Sequence, residues 1–144
     1  MMLTKRDPAT LKRLDLRSRI RALEDTMLQL PQQAIEIRHQ FVGGMYARSM
    51  LAPAGSIIVG EIYKKAHYVV LALGEVSVVT ETEGERFFRA PAMWAAPAGD
   101  KRVIRVLADT LWTTVIATDA LTPEAAMTDV TVKSFEELGE TWQG

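Results

Sequence analysis

From Ile35 to Thr118 the chain is cut by glycine and proline before any run grows past strand length. Ile35–Phe41 ends at Gly43-Gly44, and Met45–Leu51 ends at Pro53-Ala54-Gly55. Ile57–Ile62 follows, then His67–Leu73 and Glu75–Thr80 on either side of Gly74. Glu83-Gly84 turns the chain into Glu85–Arg89, and Pro97-Ala98-Gly99-Asp100 leads into Val103–Leu107 and Leu111–Ala117. Parallel strands need long crossovers, and the spacing leaves no room for them. Short runs joined by tight turns predict an antiparallel sandwich or barrel. Gly74 is expected in a turn or bulge that requires positive φ.

The first thirty residues have a different texture. Asp7-Pro8 offers a cap and a first-turn proline, Pro31 offers a stop, and a helix is predicted over residues 9–30. Leu16, Ile20, Leu23, Met27 and Leu30 recur at alternating spacings of four and three, which makes an apolar seam. Two readings of that seam stand open. The helix lies on its own barrel, or it joins copies of the chain, a trimer being expected before a dimer. The division expected is a helical arm over 1–33, a barrel over 34–119 and an acidic tail over 120–144.

Charge follows the same division. Residues 1–33 hold seven Lys/Arg against four acids, 34–119 hold nine of each, and 120–144 hold five acids against Lys133. The whole carries −1, so no global attraction to nucleic acid is expected. No apolar run approaches the ~18 residues of a membrane span. Cysteine is absent, which removes disulfides and thiolate metal sites. Ser49, Ser56 and Ser77 lack a nucleophile motif, and no glycine-rich phosphate loop is present. Trp94 and Trp112 read as core residues, His39 as a strand-edge residue, and Trp142 as an anchor on the parent barrel or on a partner.

One constellation invites a chemical reading. In Pro53–Gly74, PAGSIIVGEIYKKAHYVVLALG, Glu61 and Tyr63 flank a single residue and His67 precedes Gly74 by seven positions. Arg102 follows Gly99 of the Pro97-Ala98-Gly99 turn by three. This resembles the two motifs of the cupins. Anchored on Gly74, the family's two histidine positions fall on Glu61 and Tyr63, its carboxylate on His67, and its second-motif histidine on Arg102. A firm metal site takes three or four suitable ligands. Tyr63 is a poor third ligand, and Arg102 brings a permanent positive charge. The expectation is a degenerate pocket with no metal and no cofactor, in which Arg102 or His67 pairs with Glu61.

The resemblance extends further. The run IRHQFVGGMYARSMLAPAGSIIVGEIYKKAHYVVLALGEVSVVTETEG, the later APAMWAAPAGDKRVIRVLADTLWTTVIATD and the earlier LDLRSRIRALEDTMLQLPQ are similar to small cupin-like proteins of tailed bacteriophages. Together they span residues 14–119, about three quarters of the chain. Members of that group often carry histidine where this chain has Tyr63. The resemblance implies a jelly-roll protein made in the host cytoplasm and built into the virion as an oligomeric decoration, fibre, tail or neck subunit. It would be non-enzymatic and would contact other copies and other virion proteins, not nucleic acid or membrane. The alternative is a small metal-dependent cupin enzyme or a carbohydrate-binding module.

Overall fold

The computed structural model describes residues 8–32 and 34–134. Helix α1 (Pro8–Leu28) precedes eight strands: β1 (Glu36–Val42), β2 (Met45–Ala52), β3 (Ile57–Val59), β4 (Ile62–Tyr63), β5 (His67–Thr80), β6 (Gly84–Arg89), β7 (Ala92–Ala96) and β8 (Val103–Ala117). Helix α2 (Pro123–Val130) and β9 (Thr131–Val132) follow. Every ladder is antiparallel. Seven strands form one sheet in the order β1-β2-β8-β5-β6, with β3 added on β8 and β7 on β5, while β4 and β9 pair separately. The fold is a mainly β, cupin-like jelly roll. Its ladders stay open, with β1 and β6 as ends, so the expected barrel is not a closed cylinder of hydrogen bonds.

Two long strands build the body. Along β5 the buried apolar and aromatic-ring positions alternate as His67, Val69 and Leu71, then as Val76 and Val78, with Ser77 and Thr80 buried as well. The parity changes because the β5–β8 register shifts between Leu71 and Val76. Gly74 sits in that bulge at φ +102°, and its amide carbonyl accepts from Ala90 N at 2.9 Å. The bulge turns both halves of β5 toward one core, which joins Val69, Leu71, Val76 and Val78 to Ile104, Val106 and Trp112 of β8. The sheet therefore doubles over on itself. Each such buried aliphatic side chain contributes about 1.5–3 kcal/mol.

The helix α1 lies on this body. Ile20 is buried, and Leu16 and Leu23 border a cleft whose other wall is Val79 and Val103. Arg17 donates from Nε to Glu81 Oε2 at 2.7 Å and from Nη2 to Oε1 at 3.0 Å. Lys101 Nζ meets Glu24 Oε1 at 2.8 Å. At the C-terminus, Gln32 Nε2 donates to the carbonyls of Met27 and Leu30 at 2.7 and 2.8 Å, which satisfies helix-end acceptors. The sequence seam is thus divided. Ile20 faces the chain's own sheet, whereas Leu23 and Leu30 stay exposed.

Part of the segment read as an acidic tail belongs to the body. Thr122 caps α2 by accepting from Ala125 N at 3.2 Å, and Pro123 opens its first turn. Ala126 and Val130 are fully buried against Tyr46, Tyr63 and Ile116. Trp142 lies outside the described residues. Among the described residues no helix is long and apolar enough to cross a membrane.

Candidate functional site

The Pro97–Asp100 turn and the β3–β4 corner are tied together by backbone bonds. Gly99 N donates to Tyr63 O at 2.8 Å, and Gly60 N donates to Arg102 O at 2.9 Å. These two bonds bring Arg102, the residue before β8, against Tyr63 at the end of β4. The Arg102 guanidinium carbon lies 5.5 Å from the centre of the Tyr63 ring and 5.4 Å from that of Trp112. His67, the first residue of β5, packs on the same Tyr63 ring, with ring centres 4.5 Å apart and planes at 41°. Three of the four pocket residues read from sequence therefore meet. Glu61 borders the same cavity of about 160 Å³ as Tyr63 and Arg102, but its side chain is exposed.

The expected pairing of Glu61 with Arg102 or His67 does not form. Arg102 is buried, and among the described residues its Nε and Nη1 have no hydrogen-bond partner and it takes part in no ion pair. The reason lies in the backbone: the Gly60–Arg102 bond fixes the corner with the Glu61 side chain toward solvent and Arg102 inside. Aromatic faces take the place of the carboxylate, and cation–π attraction offsets part of the desolvation. Burial pulls the Arg102 pKa below its ordinary value, against Tyr63 and Asp100, which raise it. Asp100 accepts from the Thr82 hydroxyl, and burial raises its pKa.

His67 is held in one tautomer. Its Nδ1 donates to Lys65 O at 3.0 Å, so Nε2 carries the lone pair and has no partner. Burial lowers the pKa to about 4; the Lys65 carbonyl opposes this and Arg102 adds to it. The cupin fold often carries a metal at this place. The residues present do not fit one. His67 Nε2 is a lone imidazole donor, and a buried guanidinium stands in the second-motif position. Among the described residues no three His, Asp or Glu side chains converge on a point.

Sequence reasoning passed over three members of the cavity wall. Trp112 and Thr114 share the inward parity of Ile104 along β8, and Trp112 Nε1 donates to Thr114 Oγ1 at 3.3 Å. Arg48 on β2 is paired in register with Thr114 and is half-buried. Parity from Arg102 would have placed Trp112 and Thr114 on the cavity side; Arg48 needed the β2–β8 register. Trp94 stacks on Phe88 at 3.8 Å and meets Trp112 edge-on at 5.4 Å, in keeping with a packing role. His39 is at the surface and bonds Tyr46 through Nδ1 at 2.6 Å.

No family model and no curated protein matches the sequence. Solved structures do match in shape. A cupin superfamily protein from Desulfitobacterium hafniense aligns with TM-score 0.52 at 10% identity, covering 62% of this chain and 83% of the other. An RmlC-like cupin from Desulfovibrio desulfuricans aligns with TM-score 0.51 at 18% identity over 62% and 91%. An RmlC-like cupin with a double-stranded β-helix fold from Methanocaldococcus jannaschii aligns with TM-score 0.51 at 11% identity over 60% and 83%. At these identities the likeness establishes the cupin fold.

Proposed function

We propose that the chain is a non-enzymatic structural subunit of a bacteriophage virion, a cupin jelly roll that works by binding copies of itself and neighbouring virion proteins. The observation that carries this reading is the outer face of β2, β8, β5 and β7. Registered neighbours Ala47, Val115, Tyr68 and Ala95 form one row across it, and Ser49, Thr113, Val70 and Met93 form the next. No residue in either row is charged. Met93 is 67% exposed and Tyr68 53% exposed. A face of this kind on a small protein marks a contact surface.

The pocket supports the same reading, because a cation occupies the place where cupin chemistry would need a metal ligand. The bacteriophage assignment rests on the resemblance of residues 14–119 to small phage cupin-like proteins. Its place would be a decoration, fibre, tail or neck subunit. The test is mass spectrometry of purified virions from a host that carries the gene. Peptides of this chain at a copy number in fixed ratio to the major capsid protein are the expected result. Peptides confined to the soluble lysate would refute the virion role.

A further inference from the structure

We propose that the cavity beside Arg102 binds a small organic monocarboxylate with an apolar body. This goes beyond the particle role and does not depend on it. The guanidinium is the first ground. Arg102 is 6% exposed, and among the described residues two of its guanidinium nitrogens have no acceptor. Tyr63 and Trp112 shield its faces but accept no in-plane hydrogen bond. A buried cation with unmet donors is costly unless an anion answers it. A carboxylate presents two acceptor oxygens and can meet a guanidinium in a bidentate pair.

Thr114 supplies a second donor. Its oxygen accepts from Trp112 Nε1, which leaves its own hydroxyl proton without an acceptor in the cavity wall. The rest of the wall decides the body of the ligand. Ile35, Met50, Ile58 and Ile104 line it with hydrocarbon. The volume is about 160 Å³, and apolar cavities of ~150 Å³ accommodate benzene. A single ring or a short alkyl chain therefore fits. Three charged residues border the space: Arg102, Arg48 and Glu61. Two cations favour an anion, and the Glu61 carboxylate at the exposed rim opposes a second negative charge. That combination favours a monoanion over the phosphate dianion, and the hydrocarbon wall favours an organic one over hydrated phosphate.

The experiment uses the full chain at neutral pH, with benzoate as probe and benzamide and inorganic phosphate as controls. Binding is read by calorimetry and by tryptophan fluorescence. Benzoate is expected to bind one per chain and to change the fluorescence, with benzamide about tenfold weaker or more and phosphate silent. Arg102→Met should abolish benzoate binding with the far-ultraviolet spectrum unchanged, since it removes the buried cation and keeps an apolar side chain of similar length. Thr114→Val should weaken benzoate about tenfold, and it serves as the test if Arg102→Met does not fold. Equal binding of benzoate and benzamide, tighter binding of phosphate, or no response to millimolar benzoate overturns the proposal. Undiminished benzoate binding in either folded variant does the same.

Discussion

At Gly74 any side chain collides with backbone. A Cβ built there lies 2.6 Å from the Asp109 carbonyl oxygen and 2.2 Å from Thr110 Oγ1, and the residue holds φ +102°. Neither Asp109 nor Thr110 can retreat without opening the β5–β8 bulge. Gly74→Ala is expected to cost about 3 kcal/mol or more in urea denaturation, from strain and overpacking together. A loss below about 1 kcal/mol would mean that the bulge relaxes freely. His67 makes a prediction of another kind. Its pKa is 6.5 when unperturbed and about 4 in the fold, so the folded state holds the neutral ring. Between those values the unfolded chain binds more protons. The contribution of His67 is thus fully present above pH 6.5 and is lost as pH falls through about 4. Burial acts oppositely on Glu81 and Asp100, whose raised pKa values favour the fold as acid is added. Comparison with His67→Gln isolates the histidine. The stability advantage of wild type should shrink by roughly 2 kcal/mol from pH 7 to pH 4, allowing for solvent screening. A constant difference across that range would show that His67 does not titrate as its burial requires.

Among the contacts that hold helix α1 are the buried Ile20 and the ion pairs Arg17–Glu81 and Lys101–Glu24, and these two pairs differ in kind. Glu81 has a side chain 1% exposed, and its bidentate partner Arg17 is 17% exposed. Removing the cation strands a buried carboxyl group. Arg17→Met should destabilise by about 3 kcal/mol, and adding Glu81→Gln should restore part of that loss. Strictly additive losses in denaturant melts would show that the pair is not coupled. The helix itself was legible in the sequence, since Asp7-Pro8 and Pro31 bracket it. What it packs against was not, because an apolar seam reads the same whether its partner is the chain's own Val79 and Val103 or another copy. Most strands were legible too, because Gly/Pro turns mark their ends. Gly74 read as a divider, whereas β5 runs through it; a bulge and a turn both ask for positive φ. Thr122-Pro123 was a readable start for α2, but the acidic composition of residues 120–144 drew attention to solvent. At the site, motif spacing found Tyr63, His67 and Arg102. It missed the outward turn of Glu61, which depends on the Gly60–Arg102 backbone bond, and Arg48, which depends on register.

For the whole molecule, burial of apolar surface decides which face meets a partner. Leu23 on α1 is 36% exposed over the cleft it shares with Val79 and Val103, and Leu28 and Leu30 at the helix end border a separate groove with Ile57. The outer sheet face is continuous instead. Val42 and Met45 extend it beyond the Ala47 row, and Val42 is 70% exposed. An uncharged face that meets the same face on another copy would close a two-fold dimer. A dimer therefore takes precedence over the trimer that the helix seam suggested. Strong anchors in such an interface are large side chains near its centre, and Tyr68 and Met93 are the candidates. Wild-type protein should scatter light as a multiple of its 16.0 kDa mass, with two copies first. Tyr68→Arg with Met93→Arg places like charges across the two-fold and should give a monomer, with the far-ultraviolet spectrum unchanged. Leu23→Lys with Leu30→Lys should leave the mass as it was. The reverse pattern would return the oligomer to the helix. A monomeric wild type at high micromolar concentration would show that the sheet face does not join two copies.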